Sequence, residues 1–108
     1  MPFDASPIAN PDPVLVCLKN ARARVAHAWC QNQPIKGGGT APAYCAHAAI
    51  AWNHPVDVSN ATLQFFRVII GRDQIPHWND KKGRTQASVV AAFDRAIAVK
   101  EKELSDAV

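Results

Sequence analysis

Glutamate is nearly missing from this chain: Glu101 and Glu103 are the only two among 108 residues, and both stand near its end. A pair of glutamates for acid–base chemistry is therefore excluded from the body of the fold. Long apolar runs are missing too, and nothing approaches the ~20 uninterrupted apolar residues of a membrane span. The opening residues, Met1-Pro2-Phe3-Asp4, put no basic residue ahead of an apolar stretch, so no secretory signal is expected. Cysteine is scarce and odd in number, three in all, which argues against a disulfide framework and for a reducing cytoplasm. Charged residues make up only 19% of the chain against 48% apolar, which excludes a solvated disordered tail.

What is present points to packed helices. Alanine occurs 19 times against 5 glycines. The length suits one small domain, which buries only about two-thirds of its unfolded surface, so a few large side chains must anchor it. These are Trp29, Tyr44, Trp52, Phe65, Phe66, Trp78 and Phe93, with Phe3 standing apart.

Pro2, Pro7 and Pro11 make residues 1–12 an extended lead-in. Asp12-Pro13 is a helix start, an acceptor at the cap followed by a residue of preset φ. From there Val14, Cys17, Leu18, Ala21, Val25, Ala28 and Trp29 recur at helical spacing, predicting a helix over 13–30. Pro34, Gly37-Gly38-Gly39 and Pro42 mark residues 31–42 as the longest loop. An alanine-rich helix over 43–53 follows, stopped by His54-Pro55. Its alanines suit either the core or a contact between two copies. Ser59-Asn60 can cap a third helix running to Ile70 with Gly71 as its stop, although Phe65–Ile70 is also good strand material. Residues 72–84 are polar and turn-rich, and Thr85 caps a last helix carrying Val89, Val90, Phe93, Ile97 and Leu104. The expected fold is all-α: a compact single domain of about four helices over residues 13–108, with one long Gly/Pro-rich loop.

Several phrases stand out, in this order: Trp29-Cys30-Gln31, Tyr44-Cys45-Ala46 with Ala48-Ala49-Ile50, then Ile75 with Trp78-Asn79-Asp80. Gly83-Arg84-Thr85 and Phe93-Asp94-Arg95-Ala96-Ile97 complete the set. Together, over residues 14–100, they make the chain resemble a family of small uncharacterised proteins of bacteria and their phages, a domain of unknown function. This chain has Asn32 and Ala48 where that family often has glycine. The resemblance implies an intracellular, mostly helical domain often carried by mobile elements, and it implies no catalytic residue.

Read physically, Trp78-Asn79-Asp80 is turn chemistry that pins the loop 72–84 onto the bundle, with Arg84 expected to pair with Asp80 or Asp94 and the Trp78 N–H with a carbonyl. His27, Cys30, Cys45 and His47 are the candidate metal ligands, but no Cys-x₂-Cys or His-x₃-His pair is present. His27 and Cys30 would share a helix face, whereas Cys45 and His47 would point apart. Buried cysteines packed as small hydrophobes are the favoured alternative, and no metal or other cofactor is expected. A nucleophilic Cys45 with His54 or His77 as base is disfavoured on the same ground. Gly37-Gly38-Gly39-Thr40 lacks the Gly-Lys-Ser/Thr ending of a phosphate loop.

Charge supplies the last signal. The net is +3, from 12 Lys and Arg against 9 Asp and Glu. Arg67, Arg72, Lys81, Lys82 and Arg84 stand against Asp73 and Asp80, interleaved with His77 and Trp78. Lys19, Arg22 and Arg24 form a second basic strip. Such patches neutralise phosphates or steer onto acidic proteins, and they also serve plain solubility. No helix-turn-helix signature is visible. The expectation is a non-enzymatic interaction protein that binds through Arg72, Lys81, Lys82, Arg84, Trp78 and Lys36. Its partner would be a host protein or ribonucleoprotein complex and not a membrane; its sharpest form is an anti-CRISPR or other anti-defence inhibitor. Direct nucleic-acid binding is the alternative, and a Cys/His metal protein a more distant one.

Overall fold

The computed structural model describes residues 11–37 and 42–107. Most of the expected lead-in, together with Gly38, Gly39 and Thr40, lies outside them. The elements run α1 (Pro13–His27), β1 (Ile35–Lys36), β2 (Ala43–Tyr44), α2 (Ala46–Ala51), α3 (Val56–Ile70), α4 (Ile75–Asn79) and α5 (Gln86–Asp106). The fold is all-α, with one two-stranded antiparallel pair in which Ile35 faces Tyr44. Among the described residues no helix is long and apolar enough to cross a membrane.

The predicted starts and stops hold where local chemistry sets them. Asp12 accepts the Leu15 N–H at 3.0 Å, and Pro13 opens α1. Thr85 and Ser88 cap α5 reciprocally through side chain and backbone. Gly71 ends α3 in the left-handed region at φ 67°, its N–H returned to the Arg67 carbonyl. Phe65–Ile70 are helical, so the strand reading of that run is set aside.

Other boundaries differ from expectation. Helix α1 stops at His27 rather than 30, because Trp29 pairs with Tyr44 in a parallel bridge. Cys30 donates its N–H to the Tyr44 carbonyl and Tyr44 donates to Ala28, so these groups cannot continue a helix. His27 and Cys30 therefore share no helix face. Ala43-Tyr44 are strand, and α2 starts at Ala46 with Cys45 as its cap. Helix α3 starts at Val56, with Pro55 rather than Ser59 at the cap. Asp57 in its first turn complements the helix dipole, while Ser59 is buried with its hydroxyl unpartnered. The turn-rich stretch 72–84 contains α4, so the helices number five among the described residues.

The core lies where α1 packs against α5, α2 and α3. Ala21 on α1 and Ala92 and Ala96 on α5 are fully buried, and their small side chains let the helices approach closely. Ala46, Ala48, Ala49 and Ile50 are buried as well, so the α2 alanines close this core. Phe66 of α3 stacks on Phe93 of α5 with centroids 4.4 Å apart and meets Trp78 edge-on at 5.7 Å. Phe66 thus joins the core to α4. Phe66→Ala is expected to remove about 3–5 kcal/mol of stability. Urea unfolding measures it, and a loss below about 1 kcal/mol would show that the core is anchored elsewhere.

Candidate functional site

Three of the phrases that carry the sequence resemblance, those of Trp29, of Cys45-Ala46 and of Trp78, meet at Asn79. This side chain is fully buried. Its Oδ1 accepts from Trp29 Nε1 at 2.7 Å and from the Ala46 N–H at 3.0 Å. Its Nδ2 donates to the Cys30 carbonyl and to Asp80 Oδ1, each at 3.0 Å. Gln31 Nε2 donates to the Asn79 carbonyl and also to that of Lys81. All three residues of the Trp-Cys-Gln phrase are thereby tied to Asn79. The primary amide uses both donors and both acceptor positions, the full inventory of its side chain. Asp80 completes the knot by accepting the Asn32 N–H at 2.8 Å. Asn32, where the resemblance expects glycine, has φ 69°, in the left-handed region that glycine and asparagine enter most easily.

This knot fixes α4 and the turn after it, and on their outer side lies a cleft of about 470 Å³. Arg72, Asp73, Gln74, His77, Trp78, Lys81 and Arg84 line it. Four of the expected binding residues, Arg72, Trp78, Lys81 and Arg84, are thus brought together. Lys82 and Lys36 are exposed outside the lining. Gln74 carried no sequence signal, and Asp73 and His77 were visible only as part of the local charge pattern.

Arg84 does not pair with Asp80 or Asp94. Its guanidinium carbon lies 4.3 Å from the Trp78 ring centroid, and its Nε donates to the Trp78 carbonyl at 3.0 Å. Asp80 is held by backbone and amide donors and lines a different pocket. Asp94 takes Arg22 instead. The Trp78 N–H has no hydrogen-bond partner among the described residues; it is Trp29 whose indole is satisfied, by Asn79. Among the described residues the Arg72 guanidinium donates only to the neighbouring Gly71 carbonyl.

Ion pairing is segregated. Lys19 pairs with Glu101 and Arg22 with Asp94, while Lys100 and Lys102 pair along α5. Arg24 donates to the Ala49 carbonyl at 3.0 Å. The second basic strip expected on α1 is therefore largely neutralised or structural. Among the described residues Arg72, Lys81, Lys82 and Arg84 form no ion pair, so the cleft keeps its positive charge.

The candidate metal ligands do not assemble: among the described residues no three His, Cys, Asp or Glu side chains gather as a metal site. His27 is exposed at the end of α1. Cys30 is buried, with its thiol donating to the Gln33 carbonyl at 3.4 Å. Cys45 and His47 do share a small pocket of about 270 Å³ with Asp80 and Asn32. Burial pushes the Cys45 thiol up, and the Asp80 carboxylate adds to the shift although nearby backbone N–H groups oppose it. Burial likewise raises Cys30 and Cys17. His47 is lowered by burial and by Arg67, which keeps it neutral. His54 sits against Cys17 and the Ile50 carbonyl, and His77 in the basic cleft, so neither is placed as a base for Cys45.

Over residues 9–99 the sequence matches a family of unknown function, DUF6197. The chain belongs to that family. No curated protein and no solved structure matches it. The DUF6197 match spans every phrase that meets at Asn79, together with the whole lining of the cleft.

Asn79→Ala strands the Trp29 and Ala46 donors and the Cys30 carbonyl, each at about 1–3 kcal/mol when buried and unpartnered. The expected result is a loss of at least about 3 kcal/mol, with amide protection lost first over residues 29–32 and 75–85, read by hydrogen exchange. Retained protection there would mean that the knot does not hold the cleft. The cysteines give a second expectation. All three thiols should react with a thiol reagent far more slowly in the native protein than in urea. Because the fold keeps these protons past the ordinary thiol range, stability should fall as pH rises above about 8.5. A native thiol reacting at the urea rate would contradict this.

Proposed function

We propose that the DUF6197 chain is a non-catalytic recognition domain that binds a macromolecular partner through the cleft of Arg72, Lys81 and Arg84 around Trp78. One observation carries the reading: three cations that form no ion pair among the described residues are gathered in a concavity around an indole that Phe66 meets edge-on and Arg84 covers. A low-dielectric wall beside clustered charge of one sign focuses the field and speeds encounter with an anionic surface. The other titratable pocket favours no chemistry, since burial keeps Cys45 as a thiol and His47 lacks a thiolate to serve. In the narrower form expected from the sequence, the partner is a host protein or ribonucleoprotein complex, and occupying its anionic site inhibits it by occlusion. Carriage by phages and an anti-defence role, anti-CRISPR included, belong to that narrower form.

Affinity capture with mass spectrometry tests the reading. A stoichiometric partner should come down with the wild-type chain and with Lys102→Glu, whose charge lies far along α5. The double variant Lys81→Glu/Arg84→Glu should lose it by at least tenfold, with the melting temperature of the exposed Lys81→Glu single variant unchanged. A partner kept by the double variant, or no stoichiometric partner at all, would overturn the assignment.

A further inference from the structure

We infer that the group entering the cleft is a nucleotide bearing a terminal phosphate. The inference rests on the cleft being a recognition surface and names what it recognises. The lining carries three cations against the single carboxylate of Asp73, a formal +2. One carboxylate side chain leaves most of that charge unmatched, whereas a terminal phosphate brings about −1.5 to −2 near neutral pH. The volume of about 470 Å³ is too large for an isolated oxyanion and falls within the roughly 300–1,000 Å³ of small-molecule sites.

Arg84 supplies the second part of the match. Its Nε is committed to the Trp78 carbonyl, and one face of its guanidinium rests on the indole. Among the described residues its terminal nitrogens make no hydrogen bond, and the side chain lines the cleft. A guanidinium plane held this way is a platform on which a base stacks, extending an indole–guanidinium pair to three layers. Arg72 and Lys81, exposed and free of ion pairs among the described residues, then meet the phosphate oxygens.

Asp73 and Gln74 decide between a nucleotide and an acidic protein surface. The Asp73 charge repels phosphate as it repels Asp or Glu, but ionised Asp and Glu side chains bring no donor to its oxygens. The same carboxylate accepts hydrogen bonds from sugar hydroxyls or a base amino group, and the Gln74 amide both donates and accepts. A lining of cations, one aromatic, one carboxylate and one amide is the chemistry of a nucleotide rather than of a plain anion.

A ¹⁵N–¹H NMR titration at constant ionic strength tests this, with AMP, dAMP, adenosine, inorganic phosphate and hexaglutamate as probes. AMP should shift the Trp78 indole resonance and the amides of residues 72–84 while leaving the middle of α5 unmoved. Phosphate alone should bind at least tenfold more weakly, and adenosine should give no saturable shift. Equal binding of dAMP assigns a nucleotide of either sugar, and weaker binding of dAMP assigns a ribonucleotide. Arg84→Lys keeps the charge but removes the plane and the fork, so AMP affinity should fall at least tenfold. Lys81→Ala, at an exposed position, should weaken AMP and phosphate alike. Hexaglutamate binding as tightly as AMP, phosphate matching AMP, no response to AMP, or an AMP response unchanged in Arg84→Lys would each overturn the inference. If AMP fails while partner capture still depends on Lys81 and Arg84, the nucleotide is wrong and the recognition cleft stands. If AMP binds while capture ignores the cleft, the partner reading alone falls.

Discussion

A single buried amide, that of Asn79, holds together the parts of this small fold that no regular element joins. A fully buried primary amide is tolerable only when its donors and acceptors are all used, because each one left unmade carries the desolvation penalty of a polar group in a low-dielectric interior. Asn79 meets that condition with bonds to Trp29, Cys30, Ala46 and Asp80. Those four partners are the exit of α1, the bridge beside it, the start of α2 and the turn after α4. Helix α4 has five residues and could not persist alone, since so short a helix hardly repays its own nucleation. Its place is set by Ile75 in the core, Asn79 in the knot and the edge of Trp78 against Phe66.

The charge distribution follows a separate rule with a joint effect. Nine acids face twelve bases in the sequence, but the acids are unevenly spent. Asp94, Glu101, Glu103 and Asp106 all lie on α5 and engage Lys or Arg there or on α1. Such exposed pairs add little stability each. Their larger consequence is to neutralise the α1–α5 face and leave the end formed by α4 and its flanking turns positive.

What was legible in the sequence is what local chemistry decides. Asp12-Pro13, Thr85 and Gly71 each act within one helical turn, and each marks a boundary where it was expected. The end of α1 was not legible, because Trp29 leaves the helix for a bridge to Tyr44, fifteen positions further on. The start of α3 differs from expectation because Ser59 looks like a cap from sequence, whereas α2 already stops at Ala51 and Pro55 stands at the cap of the next helix with its φ held by its ring. Of the site, the basic residues and Trp78 were visible as a local cluster, and the inward-facing cysteines followed from their apolar neighbours. Arg84 was assigned the wrong partner because charge alone pointed to Asp80 and Asp94. In the fold both carboxylates are already taken, and the nearest surface for a guanidinium is the indole face. The bonds from Asn79 to Trp29 and Cys30 span some fifty positions, and no periodicity encodes such a pairing.

The knot and the cleft meet in Trp78 and Arg84, and that meeting gives the buried polar cluster a functional sense. Three cations gathered against the single carboxylate of Asp73 repel one another and add nothing to the core, so the arrangement is not explained by stability. Under the proposed recognition role it becomes useful when an anion arrives, provided the donors need not reorganise to receive it. Arg84 is ordered before any ligand binds, since its Nε and one of its faces are committed to Trp78. Trp78 is ordered in turn by Phe66 and by its place beside Asn79. The entropy that a surface arginine would lose on binding has thus already been lost on folding. The buried polar network thus lies directly behind a cluster of cations that form no ion pair among the described residues, and that placement supplies the rigidity the proposed recognition role calls for.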